Sequence, residues 1–373
     1  MLKQGERYGT AAARWAGVGP YYAMFPAAFA EKVITQFTAP GDVVLDPFAG
    51  RGTAVFSAAA RGRRGIGMEI NPVGWVYAQA KLHPASQESV VERFLEIEDL
   101  SHRYRRAAEN APTFFRCCYQ QNVLQFLIAA RRHLDWRNRK ADCTAMAFLL
   151  VNLHGKRNDS FSNQMRQTKS MSPAYAIRWW RERSMRPPEV DPLEFLLKKM
   201  EWRYAKGIPK LVESRVYLGD SVTILPQVPR YWASRHRLAR LLLTSPPYYG
   251  VTNYHYDQWL RLWLLGGPPT SRRVGGKYKG KFENRAQYRQ LLLDVFGRSK
   301  RLLRRNGIVY VRTDRRELTL NTTRQVLREV FPDHQLRHRS RPYSRPTQTH
   351  LFGYVEPRVG EIDLILTPGG CTR

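Results

Sequence analysis

Acidic residues and glycines with the spacing of a nucleotide site follow short apolar runs of the chain. Asp46 ends one run and opens the glycine-bearing turn 47–53, where backbone can come close to a ligand. Glu69 ends the next run, about twenty residues further along the chain. In dinucleotide-binding folds, an acid at this position accepts hydrogen bonds from the ribose hydroxyls. Asp220 ends a later run. These residues predict a site for an adenosine-bearing cofactor.

S-adenosylmethionine fits this pattern better than a dinucleotide does. Gly50-Arg51-Gly52 is followed by Thr53-Ala54-Val55, which departs from the G-x-G-x-x-G fingerprint. A carboxylate at Asp46, on the rim of the turn, would repel a pyrophosphate but would attract the ammonium and sulfonium groups of S-adenosylmethionine. We therefore expect Asp46 near the ammonium, and Asp220 as an acceptor for the adenine amino group.

A proline-rich stretch, T-S-P-P-Y-Y-G at residues 244–250, directly follows the apolar run 241–243. Two consecutive prolines cannot sit in the middle of a hydrogen-bonded strand or helix. The stretch is therefore predicted to be a rigid loop at the end of a strand, where it carries the hydroxyl of Ser245 and the ring of Tyr248.

The hydrophobic pattern places these residues at the ends of strands. Strands are predicted at 42–46 and 64–70 and helices at 54–61 and 74–82, a βαβ unit that implies a parallel sheet. In such sheets ligands bind beyond the carboxyl ends of the strands, so the loops described above should share one crevice. Further strands are predicted at 215–220, 241–244, 307–311 and 361–366.

Residues 85–210 show helical spacing instead and are predicted to form a mostly helical insertion. We therefore divide the chain into an N-terminal, cofactor-binding half at 1–84, the insertion, and a catalytic half at 211–373 with a basic loop at 266–281. The insertion is either a region that recognises the target or a scaffold that completes the core.

The charge of the chain predicts a polyanionic partner. Sixty-one Lys and Arg residues against 31 Asp and Glu give a net charge of +30, and the cations are mostly arginine, which favours bidentate phosphate contact. No run approaches the ~20 apolar residues of a membrane span, and we expect a soluble, cytoplasmic protein. The four cysteines follow no metal-ligand spacing, so no metal site is predicted.

Two polar, basic loops are the predicted nucleic-acid contacts, although a solvated surface is the simpler alternative for each. Their candidate residues are Lys156, Arg157, Arg166 and Lys169 in the first loop and Arg272, Arg273, Lys277, Lys279 and Lys281 in the second.

The turn 46–53 and the loop 244–248 together resemble the two motifs of the DNA methyltransferases that modify exocyclic amino groups, the N4-cytosine and N6-adenine enzymes. The resemblance covers about residues 20–84 and 214–312 and implies a Rossmann-like α/β methyltransferase fold. It implies S-adenosylmethionine as cofactor and DNA as partner. The residues it assigns to the cofactor are Phe25, Asp46, Pro47, Phe48, Gly50, Gly52, Thr53, Glu69 and Asp220.

The resemblance assigns catalysis to Ser245, Pro246, Pro247 and Tyr248. The Ser245 hydroxyl and the Pro246 carbonyl would each accept one hydrogen of the target amine, so that its lone pair faces the methyl donor. Tyr248 would stack on the extruded base. Serine before the prolines resembles the N4-cytosine members more than the N6-adenine ones, so transfer to cytosine N4 is the predicted activity.

Other interpretations remain open at this stage. N6-adenine transfer, methylation of an RNA base amine and a non-catalytic nucleic-acid-binding role all fit much of the pattern. A cognate restriction endonuclease as partner is also left open. The aromatic residues that would line the base pocket are Tyr249, Tyr254, Tyr256 and Trp259. For Tyr254, Tyr256, Trp259 and Trp263 the spacing also fits the core face of a helix.

Overall fold

A computed structural model describes residues 8–20, 25–156, 159–162, 167–228, 238–250, 254–271, 284–341 and 360–369 of the chain. A seven-stranded sheet in the order β3-β2-β1-β4-β5-β7-β6 forms its centre. The strands are β1 (Val43–Asp46), β2 (Arg64–Glu69), β3 (Arg215–Leu218), β4 (Ala239–Thr244), β5 (Leu303–Asp314), β6 (His334–Arg341) and β7 (Glu361–Pro368).

The first five strands pair in parallel, while β7 pairs antiparallel with both β5 and β6. The order 3-2-1-4-5 is that of the doubly wound nucleotide-binding folds, with its switch point between β1 and β4. The predicted Rossmann-like α/β fold is therefore confirmed, and the predicted strands correspond to β1, β2, β3, β4, β5 and β7.

Helices cover both faces of this sheet. They are α1 (Ala11–Ala16), α2 (Ala27–Phe37), α3 (Thr53–Ala60), α4 (Pro72–Leu82), α5 (Gln87–Ser101), α6 (Arg105–Glu109), α7 (Thr113–Cys118), α8 (Gln121–His133), α9 (Lys140–Asn152), α10 (Pro173–Glu182), α11 (Pro192–Tyr204), α12 (Ser221–Ile224), α13 (Tyr254–Asp257), α14 (Trp259–Leu264), α15 (Arg285–Lys300) and α16 (Glu317–Val330).

The central strands are buried on both faces, as their continuous apolar runs require. Along β1, Val44 packs into the cluster beneath α2 and α3, whereas Val43 and Leu45 point to the opposite face, into the cluster that includes α15 and α16. A strand sandwiched in this way can hold a polar side chain at its end in a fixed position.

The helices at 87–204 share one apolar core with the nucleotide-binding half. A single buried cluster includes Tyr77 of α4, Phe94 of α5 and Phe148 of α9. These helices occupy the segment predicted as a helical insertion, and they help to complete the core. The division at 84 and 210 and a role in target recognition stay predictions.

Strand β6 was missed from the sequence because its residues, H-Q-L-R-H-R-S-R, have almost no apolar pattern. It lies at the edge of the sheet, where only one side is paired and charged residues are favoured. In the described part of the chain, no helix is long and apolar enough to cross a membrane.

Candidate active site

The carboxyl ends of β3, β2, β1 and β4 lie side by side along one edge of the sheet. Asp46 is in register with Gly67 of β2, and Leu45 with Leu242 of β4. The residues that end or follow these strands, Asp220, Glu69, Asp46 and Thr244, thus lie along this edge, as the sequence predicts. That their loops form one ligand-binding crevice stays a prediction.

The turn after β1 has a backbone that only glycine adopts readily. Gly50 and Gly52 have φ of 54° and 72°, in the left-handed region. A Cβ on Gly52 would lie 2.8 Å from the Cβ of Ala78, and one on Gly74 would lie 2.7 Å from the Gly50 carbonyl oxygen. The turn is therefore packed directly against α4, and its shape is fixed by that contact.

Asp46 is a carboxylate buried at the switch point of the sheet, with 1% of its surface exposed. Its Oδ1 accepts a hydrogen bond from the Thr244 hydroxyl (2.6 Å) and another from the Phe48 amide (3.1 Å). Burial raises the pKa of Asp46 to about 7, against the opposing effect of these two donors. Such a carboxylate would be fully ionised next to a cation, because the cation lowers the pKa again.

Glu69 is oriented by the start of α4. Its Oε1 accepts from the Asn71 amide at 2.7 Å, and the Asn71 side chain in turn caps α4 through the Val73 amide at 3.0 Å. Glu69 is buried, and its Cγ would lie 3.1 Å from a Cβ on Gly74. The carboxylate is thus held beside the glycine turn, and its contact with a ribose stays a prediction.

Asp220 caps the short helix α12 through the Val222 amide, at 2.9 Å. The neighbouring Ser221 hydroxyl donates to the Pro47 carbonyl at 2.5 Å, and so joins the loop after β3 to the turn after β1. Capping α12 is the role that the structure shows for Asp220. Its contact with adenine stays a prediction.

The remaining cofactor candidates have mainly packing roles in the structure. Phe25 is buried and meets Phe29 edge to face, with 5.5 Å between ring centroids. Pro47 is buried, Phe48 is half-buried against the core cluster of α15, and Thr53 is the buried first residue of α3.

The proline-rich loop is anchored at both ends. The Thr244 hydroxyl donates to Asp46, and the buried Tyr288 of α15 donates its hydroxyl to the Pro247 carbonyl at 3.1 Å. Ser245, half-buried between these anchors, directs its hydroxyl to the Tyr248 oxygen over a long 3.4 Å contact. Ser245 therefore directly follows a residue that is hydrogen-bonded to Asp46.

Sequence reasoning included Thr244 in the proline-rich loop but gave it no role of its own, and it missed Tyr288. Thr244 stands inside the T-S-P-P-Y stretch, and its hydroxyl at the end of a strand was the signal that could have found it. Tyr288 lies in the first turn of α15, where the sequence alone indicates a core aromatic. Only the fold brings it to the loop.

The aromatic residues that could extend a base pocket have different positions. Trp259 is buried in the core and donates its Nε1 hydrogen to the Met171 carbonyl at 2.8 Å. Tyr249 meets Tyr288 edge to face at 5.7 Å, and Tyr256 is half-buried. For Trp259 the core interpretation is the correct one. The side chain of Tyr254 is outside the described residues.

Most of the predicted phosphate-binding residues also lie outside the described residues: Arg157, Arg166, Arg272, Arg273, Lys277, Lys279 and Lys281. Lys156 is described and is exposed. Lys169 forms an ion pair with Asp257 at 3.1 Å, with 19% of its side chain exposed. Their contact with nucleic acid stays a prediction.

The strand order, the glycine turn and the crevice define a Rossmann-like methyltransferase fold. A family model described as DNA methylase, of the N6/N4 type, matches residues 3–75, a range that includes Asp46 and Glu69.

Three curated relatives are similar to the chain. Type II methyltransferase M.MjaII of Methanocaldococcus jannaschii is 20% identical over 91% of this chain and 78% of its own length. DNA adenine methyltransferase YhdJ of Escherichia coli is 42% identical over 18% of this chain and 23% of its own. Type II methyltransferase M.Cfr9I of Citrobacter freundii is 41% identical over 14% and 18%.

The family-model match and the type II relatives support the resemblance to the DNA methyltransferases that modify exocyclic amino groups. Among solved structures, an rRNA methyltransferase of Streptomyces viridochromogenes, AviRa, covers 95% of this chain and 92% of its own at 11% identity, with a TM-score of 0.34. A similarity at that level carries no argument, and the fold rests on the strand order described above.

Proposed function

We propose that this protein transfers a methyl group from S-adenosylmethionine to the exocyclic N4 amino group of cytosine in DNA. The observation that carries the proposal is the hydrogen bond between Thr244 and Asp46, because it fixes the proline-rich loop next to the buried carboxylate of the glycine turn. One crevice then contains both a cation site and an amine-holding loop.

The residues around the crevice suit S-adenosylmethionine, which would supply an electrophilic methyl group on sulfur. Asp46 would hold the ammonium, since a buried carboxylate with a raised pKa gains most from a cationic partner. Glu69 would accept hydrogen bonds from the ribose hydroxyls. The left-handed glycines of the turn would let the backbone approach the ligand without a Cβ in the way.

The proline-rich loop would prepare the target amine. An exocyclic amine is a poor nucleophile because its lone pair is delocalised into the base. If the Ser245 hydroxyl and the Pro246 carbonyl each accept one amine hydrogen, the lone pair is redirected out of the ring. Among the described residues nothing donates a hydrogen bond to the Pro246 carbonyl, whereas the neighbouring Pro247 carbonyl is taken by Tyr288.

The preference for cytosine N4 rests on Ser245, which stands where the family carries serine, aspartate or asparagine. A neutral hydroxyl can accept from the amine and, by rotating, donate to a neighbour such as Tyr248. The relatives include one named as a DNA adenine methyltransferase and two named only as type II methyltransferases. Adenine N6 is therefore the alternative target.

Analysis of the product nucleosides tests the proposal. The protein is incubated with methyl-labelled S-adenosylmethionine and, separately, with duplex DNA of mixed sequence and with RNA. After digestion to nucleosides, label in N4-methylcytosine from DNA is the expected result. Label in N6-methyladenine would show that adenine N6, and not cytosine N4, is the target. Label from RNA alone, or no label, would refute DNA methylation.

Glu69→Gln is expected to abolish the preference of the protein for a ligand with a ribose over one with a 2′-deoxyribose. Gln keeps an oxygen that can accept from the Asn71 amide, but it loses the charge and the second acceptor. A lost hydrogen bond to a charged group costs about 1.5–3 kcal/mol, so affinity for S-adenosylhomocysteine should fall roughly 10- to 150-fold.

The 2′-deoxy analogue of S-adenosylhomocysteine is the control for this variant. Wild-type protein should bind the analogue more weakly than the parent compound, whereas Glu69→Gln should bind the two alike. Equal discrimination by both proteins in a calorimetric titration would remove Glu69 from the ribose site.

A further inference from the structure

One face of helix α10 carries stacked arginine and aromatic side chains at the surface. The other face is buried: Ala176 and Trp180 pack into the core that α7 also contributes to. On the outer face Tyr175 is 42% exposed, and the Arg178 side chain is 68% exposed. We call Tyr175, Arg178, Trp179 and Arg183 the arginine-aromatic face.

The four side chains of this face are in mutual contact. The rings of Tyr175 and Trp179 stack, with centroids 6.0 Å apart and planes at 30°. The Arg183 guanidinium lies 3.3 Å from the Trp179 ring centroid, and that of Arg178 lies 5.5 Å from the Tyr175 centroid. Planar guanidinium groups stacked on rings lose less freedom when they bind than free arginines do.

The end of α10 turns so that Arg183 lies over the helix. Ser184 has φ of 47°, a left-handed conformation that a residue with a Cβ adopts only at a cost. The Met185 amide then returns to the Trp180 carbonyl at 2.9 Å. A strained residue persists where the surrounding structure holds it, and such residues are frequent at binding sites.

Two arginines of this face share one acid among the described residues. Glu182 meets Arg183 at 3.2 Å and Arg178 at 3.9 Å. Its side chain is 56% exposed, so these ion pairs are weak and easily exchanged for another anion. Arg181 and Arg186 add further positive charge in the same short segment.

The segment that precedes α10 is fastened to the helices that follow the proline-rich loop. The Ser170 amide donates to the Asp257 carbonyl at 2.8 Å, and Trp259 Nε1 donates to the Met171 carbonyl at the same distance. Helix α10 starts at Pro173, two residues further. The start of α10 is therefore tied to α13 and α14, the helices that follow the proline-rich loop.

We propose that the arginine-aromatic face binds the phosphate backbone of the duplex DNA that carries the target base. The inference rests on the proposed function for the identity of the polyanion. The rings already stack on each other and on guanidinium groups, so their task is to hold Arg178 and Arg183 with their donors turned outward. They do not themselves stack on bases.

The salt dependence of DNA binding tests this proposal without any need for catalysis. Affinity for a fluorescein-labelled duplex is measured by anisotropy over a range of salt concentrations. Arg178→Ala and Arg183→Ala should each reduce the slope of log K against log salt by about 0.9, the value for one lost phosphate contact. Trp179→Ala should lower affinity at fixed salt and leave the slope nearly unchanged.

Arg328→Ala is the matched control. Arg328 is exposed near the end of α16, and a helix that follows a parallel strand returns to the opposite edge of the sheet, away from the crevice. This variant should retain the wild-type slope. Arg183→Lys keeps the charge but loses the stacked plane, so it should keep the slope while its affinity falls toward that of Trp179→Ala.

The outcomes separate this inference from the proposed function. If Arg178→Ala and Arg183→Ala match Arg328→Ala while the protein methylates DNA, the inference fails and the function stands. If both variants reduce the slope of log K against log salt but the protein methylates no DNA, binding of DNA by the arginine-aromatic face is supported and the proposed function fails. If the two arginine variants reduce the slope of log K against log salt for an RNA duplex but not for a DNA duplex, the face binds RNA and the proposal that it binds DNA is overturned.

Discussion

Asp46→Asn is expected to weaken the binding of S-adenosylmethionine roughly 10- to 150-fold, because a buried hydrogen bond between opposite charges, worth about 1.5–3 kcal/mol, is lost. The amide is nearly isosteric, and its oxygen can still accept from the Thr244 hydroxyl and the Phe48 amide. The turn should therefore keep its shape, and the loss should be confined to the cationic ligand.

The same variant should make the unliganded protein more stable at neutral and alkaline pH. The pKa of Asp46 is about 7 in the folded protein and 3.8 in its ordinary state, so the folded state binds more protons between these values. The free energy of unfolding then falls as pH rises from about 4 to about 7, and asparagine removes this loss. Thermal unfolding at pH 8 should give a higher Tm for the variant, and the difference should close near pH 4.

Asp42→Asn provides the control for Asp46. Asp42 lies at the opposite end of β1, where it accepts from the Ala39 amide at 2.9 Å and pairs with Arg304 at 3.0 Å. Its substitution should leave cofactor affinity unchanged. If Asp46→Asn binds S-adenosylmethionine as tightly as the wild type does, the ammonium is held elsewhere.

Ser245→Ala is expected to slow methyl transfer about 10²-fold in a single turnover, the order of loss when a reacting group is no longer correctly positioned. The hydroxyl is one of two proposed acceptors for the target amine. Its contact with Tyr248 is long, at 3.4 Å, so its removal should cost little stability. Affinities for cofactor and for duplex DNA should stay close to those of the wild type.

Tyr248→Phe distinguishes the acceptor role from a mere change in the loop. It removes the oxygen that Ser245 contacts but keeps the ring proposed to stack on the base. Transfer by this variant should be much less impaired than transfer by Ser245→Ala. A Ser245→Ala protein with the wild-type rate would show that the hydroxyl does not hold the amine.

The central strands and the polar residues at their ends were predictable because parallel strands buried on both faces are continuous apolar runs. Val43–Asp46 and Arg64–Glu69 are such runs, and each ends on the acid that lines the crevice. Edge strand β6 has no such run, since among the described strands it pairs on one side only, with β7.

Contacts between distant parts of the chain were not predictable. Thr244 and Asp46 are separated by 198 positions, and their hydrogen bond follows from the pairing of β1 with β4. Tyr288 reaches Pro247 from another helix. The helical spacing of Trp259 was equally compatible with a base pocket and a core, and only the packing against Phe114 and Phe115 decides for the core.

A structure of the protein with S-adenosylhomocysteine tests the central claim most directly, namely that one crevice holds both the cofactor and the amine-binding loop. The ligand amino group is expected within hydrogen-bonding distance of Asp46, about 3 Å, with the ribose at Glu69 and the sulfur facing Ser245. A ligand bound away from Asp46, or one whose sulfur is screened from Ser245 by other side chains, would contradict the account.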